Sequence, residues 1–426
     1  MIYLVLLCGA ADRPVQALNG RTPLEYARTI CLDELAARGT VGMITVIDSR
    51  IPPESDSAVM AFLGYDPCVY YTGRGPLEAL GAGFWDGKRS CVGFRINFAS
   101  LNRETDQLDR RTARDLDDEE LQAIVGEIRE VVSLDRHPDL SFEIAGFGRH
   151  RGVVCFKSAS TALSGTVSNT DPGFDRVGPF GVPRENGRTN RPEKCRPLDD
   201  TEAAAQTALA VNEFTELTSM VMAQSRINRT RVSFGKLPAN VLLFRDGGHT
   251  LPSLPRFADH SGLTVSLYGQ IPAEHALCDL MGGTFVDARP RAGQRRLEFY
   301  RDLATELSES PSDLVIVHLK GPDEPGHDDK PFAKVAAIEE IDQFFLSELA
   351  GRMAPGDICV VTCDHATPCE TGLHTADPVP ALVFGTAIPA DQCSQFNEVA
   401  ARSGALPVAR ATDLLSFVMS TALERC

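Results

Sequence analysis

Four short segments of the chain carry residue types suited to metal and phosphoryl chemistry. Asp323, His327 and Asp328 lie in Asp-Glu-Pro-Gly-His-Asp; Asp364 and His365 are adjacent; His374 follows nine residues later; and Glu54-Ser55-Asp56-Ser57 opens an apolar segment. Aspartate and histidine are the common ligands of divalent metals, and loops that leave neighbouring strands can converge them. A serine at a helix start meets free N–H groups and the positive end of the helix dipole, which favour a phosphate. Each residue also has an ordinary reading: Ser55 as a plain N-cap, His327 as a loop histidine, Asp364-His365 as a turn, His374 as structural. Three histidines and two aspartates in successive loops carry the case together.

The elements that must position these residues have an α/β rhythm. Continuous apolar runs at Ile2–Leu7, Leu314–Leu319 and Asp357–Thr362 read as strands buried on both faces of a parallel sheet, with Thr40–Ile47 and Pro380–Phe384 as further strands. Helical spacing covers Thr22–Gly39, Asp56–Leu63, Phe332–Leu349 and Ala411–Ala422. The candidate residues follow the ends of these strands, where open α/β sheets bind ligands. The middle of the chain differs. It reads as strands Val92–Phe98, Val153–Lys157 and Ala239–Arg245, helices Asp117–Val132 and Thr201–Gln224, a Gly-rich stretch Tyr71–Gly83, and a polar loop from Asn169 to Pro197. The economical organisation is one α/β domain, residues 1–88 and 258–426, interrupted by a smaller α/β insert, 89–257, that acts as a lid.

The net charge of −16, from 58 acidic and 42 basic residues, disfavours nucleic acid polymers and anionic membranes. No apolar run reaches the ~20 residues of a membrane span. The 12 cysteines form no CxxC pair, which points to a reducing, cytoplasmic setting rather than a disulfide framework.

The motifs resemble those of the archaeal-type cofactor-independent (2,3-bisphosphoglycerate-independent) phosphoglycerate mutases, in the alkaline phosphatase superfamily. The likeness runs through Gly9–Pro14, Gly20–Glu25, Pro53–Ala58, Leu63–Pro67, Tyr71–Leu80, Asp323–Asp328, Asp364–Glu370 and His374–Pro380. It implies an alkaline-phosphatase-like core with a mostly parallel sheet flanked by helices. It also implies a nucleophile at Ser55 that is phosphorylated in turnover. Two divalent metals, zinc or manganese, are implied: one held by Asp323, His327 and His374, the other by Asp364, His365 and Ser55. His150, Arg151 and Asp171 match segments that the family uses for substrate, and Arg95, Arg231 and Arg245 are further candidates for holding phosphate or carboxylate.

The family's remaining metal ligand is an aspartate where this chain has Cys8. Three readings stay open: a thiolate ligand favouring zinc, a weakened second site, or an inert buried thiol. The expected activity is metal-dependent phosphoryl transfer on a small phosphorylated hydroxy acid, by default 2-/3-phosphoglycerate interconversion. The alternatives are a transferase of a phosphonate pathway that moves a nucleotide-activated phosphonoformyl group to a phosphoglycerate, a homoserine-kinase-like or phosphatase activity, and a non-catalytic protein that binds phosphometabolites.

Overall fold

A computed structural model of the protein describes residues 1–85, 90–110, 115–184 and 191–423. The chain folds as two compact units, residues 1–71 with 253–426 and residues 72–252. The boundaries fall at 71/72 and 252/253, against 88/89 and 257/258 expected from sequence. The first shifts because the stretch read as Gly-rich contains the helix Arg74–Gly81, which packs on the strands of the second unit. Gly75 and Gly93 face each other there, and a Cβ on either would strike the other's backbone.

The first unit is built on a seven-stranded sheet. Its order is Thr284–Asp287, Val265–Gly269, Leu314–Leu319, Ile2–Leu7, Ile358–Cys363, Val379–Gly385 and Thr40–Ile44. The first five strands pair in parallel, and the Val379–Gly385 strand is antiparallel to both its neighbours. Helices flank the sheet, so the α/β fold class expected from sequence is the one observed. The three central strands are buried at every position, which is why they read as unbroken apolar runs. Their register matters most for function: Leu7 pairs with Leu319 on one side and with Cys363 on the other. The next residues, Cys8, Lys320 and Asp364, therefore leave the sheet side by side at its carboxyl edge.

Some local expectations change. Thr22–Gly39 is two short helices, Pro23–Tyr26 and Ile30–Ala36, because the backbone turns extended at Ala27. The Thr40–Ile47 strand stops at Ile44. The polar loop from Asn169 to Pro197 holds a hairpin, Phe174–Val177 with Phe180–Pro183; residues 185–190 of it lie outside the described ones.

The second unit is a five-stranded antiparallel sheet centred on Ser90–Asn102, which pairs with Arg151–Ser158 on one side and Val241–Gly248 on the other. One face carries Phe94, Ile96 and Phe98, which join Phe156, Phe244 and, from the helix Glu202–Gln224, Phe214 in the core. Alternation then sends Arg95 and Asn97 to the other face. No helix among the described residues is long and apolar enough to cross a membrane.

Candidate active site

Ser55 is the first residue of the helix Ser55–Phe62, with Glu54 as its N-cap. Ser57 Oγ, not Ser55 Oγ, accepts the Glu54 N–H (3.1 Å). With Glu54 as the N-cap and Ser57 completing the cap, Ser55 stands one residue inside the helix and outside the capping role read from sequence. Its side chain is buried, with Oγ 3.2 Å from Lys320 Nζ and 3.8 Å from Cys8 Sγ.

Asp323 and His327 sit one turn apart on the short helix Asp323–His327, so both face the same way. His327 Nε2 lies 3.4 Å from Asp323 Oδ2, and His374 Nε2 lies 3.5 Å from Asp323 Oδ1. Each imidazole donates its Nδ1 proton to a carbonyl, His327 to Gly372 (2.8 Å) and His374 to Pro53 (3.0 Å). An Nδ1–H of this kind leaves Nε2 bare in the neutral ring, which is the tautomer that ligates metal. Burial would raise the pKa of Asp323, but His327 and His374 hold it well below the usual carboxylate range. Burial and the neighbouring His365 push His374 down to about 4, so it stays a neutral acceptor.

His365 stands between the two halves of the centre. Its ring stacks on His374 at 3.6 Å between centroids, and its Nε2 is buried without a hydrogen bond, 3.1 Å from Asp364 Oδ2. Asp323, His365 and His374 converge closely enough to share one ion, as do Cys8, Asp364 and His365. On the Asp323 side the fit to a divalent metal is good, with a carboxylate, bare imidazole nitrogens and an orphaned buried nitrogen.

The Cys8 side is differently furnished. Asp364 Oδ1 accepts the N–H groups of Gly9 (2.8 Å) and His365 (2.9 Å). Its Oδ2 accepts from His318 Nε2 (2.8 Å), while His318 Nδ1 lies 2.5 Å from Glu274 Oε1. Burial and Lys320 would lower the His318 pKa, yet Cys8, Asp364 and Glu274 raise it well above its ordinary value. Glu274 is drawn down to about 2 against its own burial, by Lys320 and His318. Lys320 Nζ reaches Cys8 Sγ at 3.4 Å and Glu274 Oε1 at 3.6 Å. Burial and Asp364 would raise the Cys8 pKa, but Lys320 and His318 bring it below the ordinary thiol value.

Two tight features hold the loops. Gly9 has φ +60°, and a Cβ there would lie 2.6 Å from Asp323 Oδ1. Lys334, fully buried, bonds Asp12 Oδ2 (2.7 Å) and the carbonyls of Ala11 (3.2 Å) and Thr367 (2.9 Å), tying the loop after Cys8 to the loop after His365.

The model of the family described as 2,3-bisphosphoglycerate-independent phosphoglycerate mutase matches residues 36–228. The protein of that name from Aeropyrum pernix is 35% identical over 413 residues, 95% of each chain. One from Archaeoglobus fulgidus is 34% identical over 424 residues, 98% of this chain and 97% of its own. This chain belongs to that family. Among solved structures, the cofactor-independent phosphoglycerate mutase of Thermoplasma acidophilum is 28% identical and covers 99% of both chains, with a TM-score of 0.57. A protein from Pyrococcus horikoshii, also 28% identical, reaches a TM-score of 0.74 over 99% of this chain and 97% of its own.

As a member of this mutase family the chain is an enzyme, and the sequence-derived residues Cys8, Ser55, Asp323, His327, Asp364, His365 and His374 gather in its first unit. In the second unit, Arg95 pairs with Arg245 across one strand boundary, and Asn97 with Arg151 across the other. Facing pairs share a side of the sheet, so the three arginines lie on one face. Arg74 joins them: its Nε bonds Glu78 Oε1 (2.7 Å), which also accepts from Arg95 Nη1 (3.1 Å). Burial, with Arg74 and Arg245 beside it, pulls the Arg95 pKa down. Arg95 Nε and Arg151 Nε are buried without a hydrogen bond. The guanidinium of Arg245 lies 3.8 Å over the Phe174 ring, which Arg110 also approaches while gripping Asp171 through two bonds of 2.5 and 2.7 Å. His150 is buried at the turn before the Arg151–Ser158 strand.

Arg231 requires correction. Its guanidinium is fully buried and consumed by Glu120 Oε2 (2.6 Å), Asp115 and the Leu237 carbonyl (3.1 Å), so it ties helices together instead of joining the arginine face. Lys320, His318, Glu274 and Arg74 were not singled out from sequence. A lysine and a histidine at the end of an otherwise apolar strand were the available signal for the first two.

Proposed function

We propose that the enzyme interconverts 2- and 3-phosphoglycerate by way of a phosphorylated Ser55. The carrying observation is Ser55 Oγ, outside the helix cap and buried at a helix start beside the Asp364 and Asp323 loops, in a chain whose relatives are named for that reaction. In the first half-reaction the Oγ–P bond forms as the substrate's O–P bond breaks, and the proton lost by Ser55 is gained by the departing hydroxyl. The reverse sequence delivers the phosphoryl group to the other hydroxyl of the glycerate.

Asp323, His327 and His374, joined by His365, would hold a divalent cation, zinc or manganese. When bound, it stabilises the negative charge of the transferring group. The arginine face of Arg74, Arg95, Arg151 and Arg245 has more positive charge than Glu78 and Asp246 offset, and suits the carboxylate or phosphate of the substrate. The second unit as a whole is proposed as the substrate-binding insert. Among the described residues no feature selects a phosphonoformyl donor, and the retained Ser55, Asp323, His327, Asp364, His365 and His374 argue against a non-catalytic protein.

Ser55→Ala tests the reading. It should reduce 3-phosphoglycerate turnover by about a thousandfold or more, as for removal of other covalent nucleophiles. Mass spectrometry of quenched wild-type enzyme should find phosphate on Ser55. Full turnover in the variant would exclude a covalent route through that residue.

A further inference from the structure

We infer that the Lys320 ammonium, rather than a second divalent cation, fills the position between Cys8 and Ser55, so that the centre proposed above works with one metal and one fixed lysine. The register of the sheet brings Cys8, Lys320 and Asp364 off three adjacent strands at one level. Lys320 Nζ then touches both atoms that would distinguish the second metal site from the first, Cys8 Sγ at 3.4 Å and Ser55 Oγ at 3.2 Å. A divalent ion using that sulfur and that oxygen would compete with the ammonium for the same lone pairs and repel it at contact distance.

Asp364 offers little to offset this repulsion. Of the roughly four acceptor positions of a carboxylate, two are taken by the N–H groups of Gly9 and His365 and one by His318, with His365 Nε2 only 3.1 Å from Oδ2. His318 is itself pinned by Glu274 Oε1, which also lies 3.6 Å from Lys320 Nζ, while Glu274 Oε2 accepts the N–H groups of Gln270 and Ile271. The buried Glu274 thus anchors both cations of this half. On the Asp323 side no lysine or arginine among the described residues bonds the carboxylate; its partners are His327, His374 and Thr367. His365, present in both possible donor sets, then serves the single ion on the Asp323 side. Because Lys320 Nζ touches the oxygen that attacks, it is a catalytic residue, placed to contact the oxygens of the group passing to Ser55.

The test is a metal count that does not depend on turnover. Full-length protein is saturated with zinc or manganese, freed of excess, and assayed for metal per chain. Wild type and Cys8→Ala should both retain one ion, and Asp323→Asn should lose it. Lys320→Met should admit a second ion that Lys320→Met/Cys8→Ala again loses. Two ions in wild type, the second lost in Cys8→Ala, would overturn the inference. So would a count of one in a folded Lys320→Met. If Lys320→Met does not fold, the wild-type and Cys8→Ala counts decide. The proposed reaction is read separately, from Ser55-dependent turnover, so either can fail alone.

Discussion

On the Asp323 side of the centre, His327 and His374 give their Nδ1 protons to backbone carbonyls and turn bare Nε2 atoms towards a carboxylate at 3.4 and 3.5 Å. On the Cys8 side, Asp364 accepts two backbone N–H groups and the doubly bonded His318, and Lys320 stands against the thiol. Both halves are buried and both are built on strand-end loops. They differ in where positive charge comes from. The first half collects lone pairs and depends on an ion for their neutralisation. The second neutralises itself with fixed cations of the chain. Substitutions on the first side should therefore be felt in ion binding and catalysis, and those on the second in folding, except at Lys320 and Ser55, where the reacting oxygen is touched and catalysis is lost as well.

The largest effect should follow loss of Asp323. Asp323→Asn removes the one carboxylate shared by both imidazoles, and should cost several kcal/mol of charge stabilisation, about a thousandfold in turnover or more. A metal-free wild type that matched the variant's rate would place the whole loss in the ion. A variant that kept its metal and its rate would break the comparison at its first half.

Glu274→Gln probes the other half. It leaves the buried His318 and the partly exposed Lys320 with one carboxylate fewer, and removing one partner from a buried charged pair costs roughly 3–5 kcal/mol, chiefly through His318 here. The drop should be read by denaturant unfolding at neutral pH. The pH dependence has a definite sign. The folded-state pKa of Glu274 is lowered to about 2 from an ordinary 4.5, so its contribution is present above the ordinary value and is lost as pH falls from about 4.5 towards 2. Wild type should lose stability across that window, and Glu274→Gln should lose less. Equal acid sensitivity in both proteins would show that Glu274 is not the anchor of the Cys8 half.

The same contrast explains what the sequence made legible. The central strands announced themselves because burial on both faces leaves mostly apolar residues, His318 and Thr362 apart, and ligand-type residues at their ends followed from where parallel sheets present loops. Lys320 was equally adjacent to its strand, but a lone lysine after an apolar run is ordinarily a solvated side chain; only the pairing of Leu319 with Leu7 sets it against Cys8. Glu274 was invisible for a similar reason. It lies 44 residues from His318, and the parallel pairing of Val265–Gly269 with Leu314–Leu319 is what brings its helix near. Arg231 shows the opposite failure. Its residue type suits a phosphate, yet Glu120, 111 residues earlier, claims it. Residue type suggests what a side chain can bind, and long-range partners decide whether it is available.

The smallest effect expected is at the seam between the halves. Thr367 Oγ1 donates to Asp323 Oδ1 at 2.8 Å and lies 3.0 Å from His365 Nδ1. With its proton committed to Asp323, the oxygen accepts from His365 Nδ1–H and so fixes the ring with Nε2 as the nitrogen left to meet an ion. Thr367→Val retains the volume and removes both bonds. Groups that orient ligands typically contribute 10–100-fold in metal affinity or activity, so metal affinity should weaken about tenfold, with turnover restored when metal is raised. That outcome assigns His365 to the ion of the Asp323 side. If the ion instead drew on Asp364 and Cys8, Thr367→Val would leave metal affinity unchanged and Cys8→Ala would weaken it, and the division between a half completed by metal and a half completed by lysine would have to be redrawn.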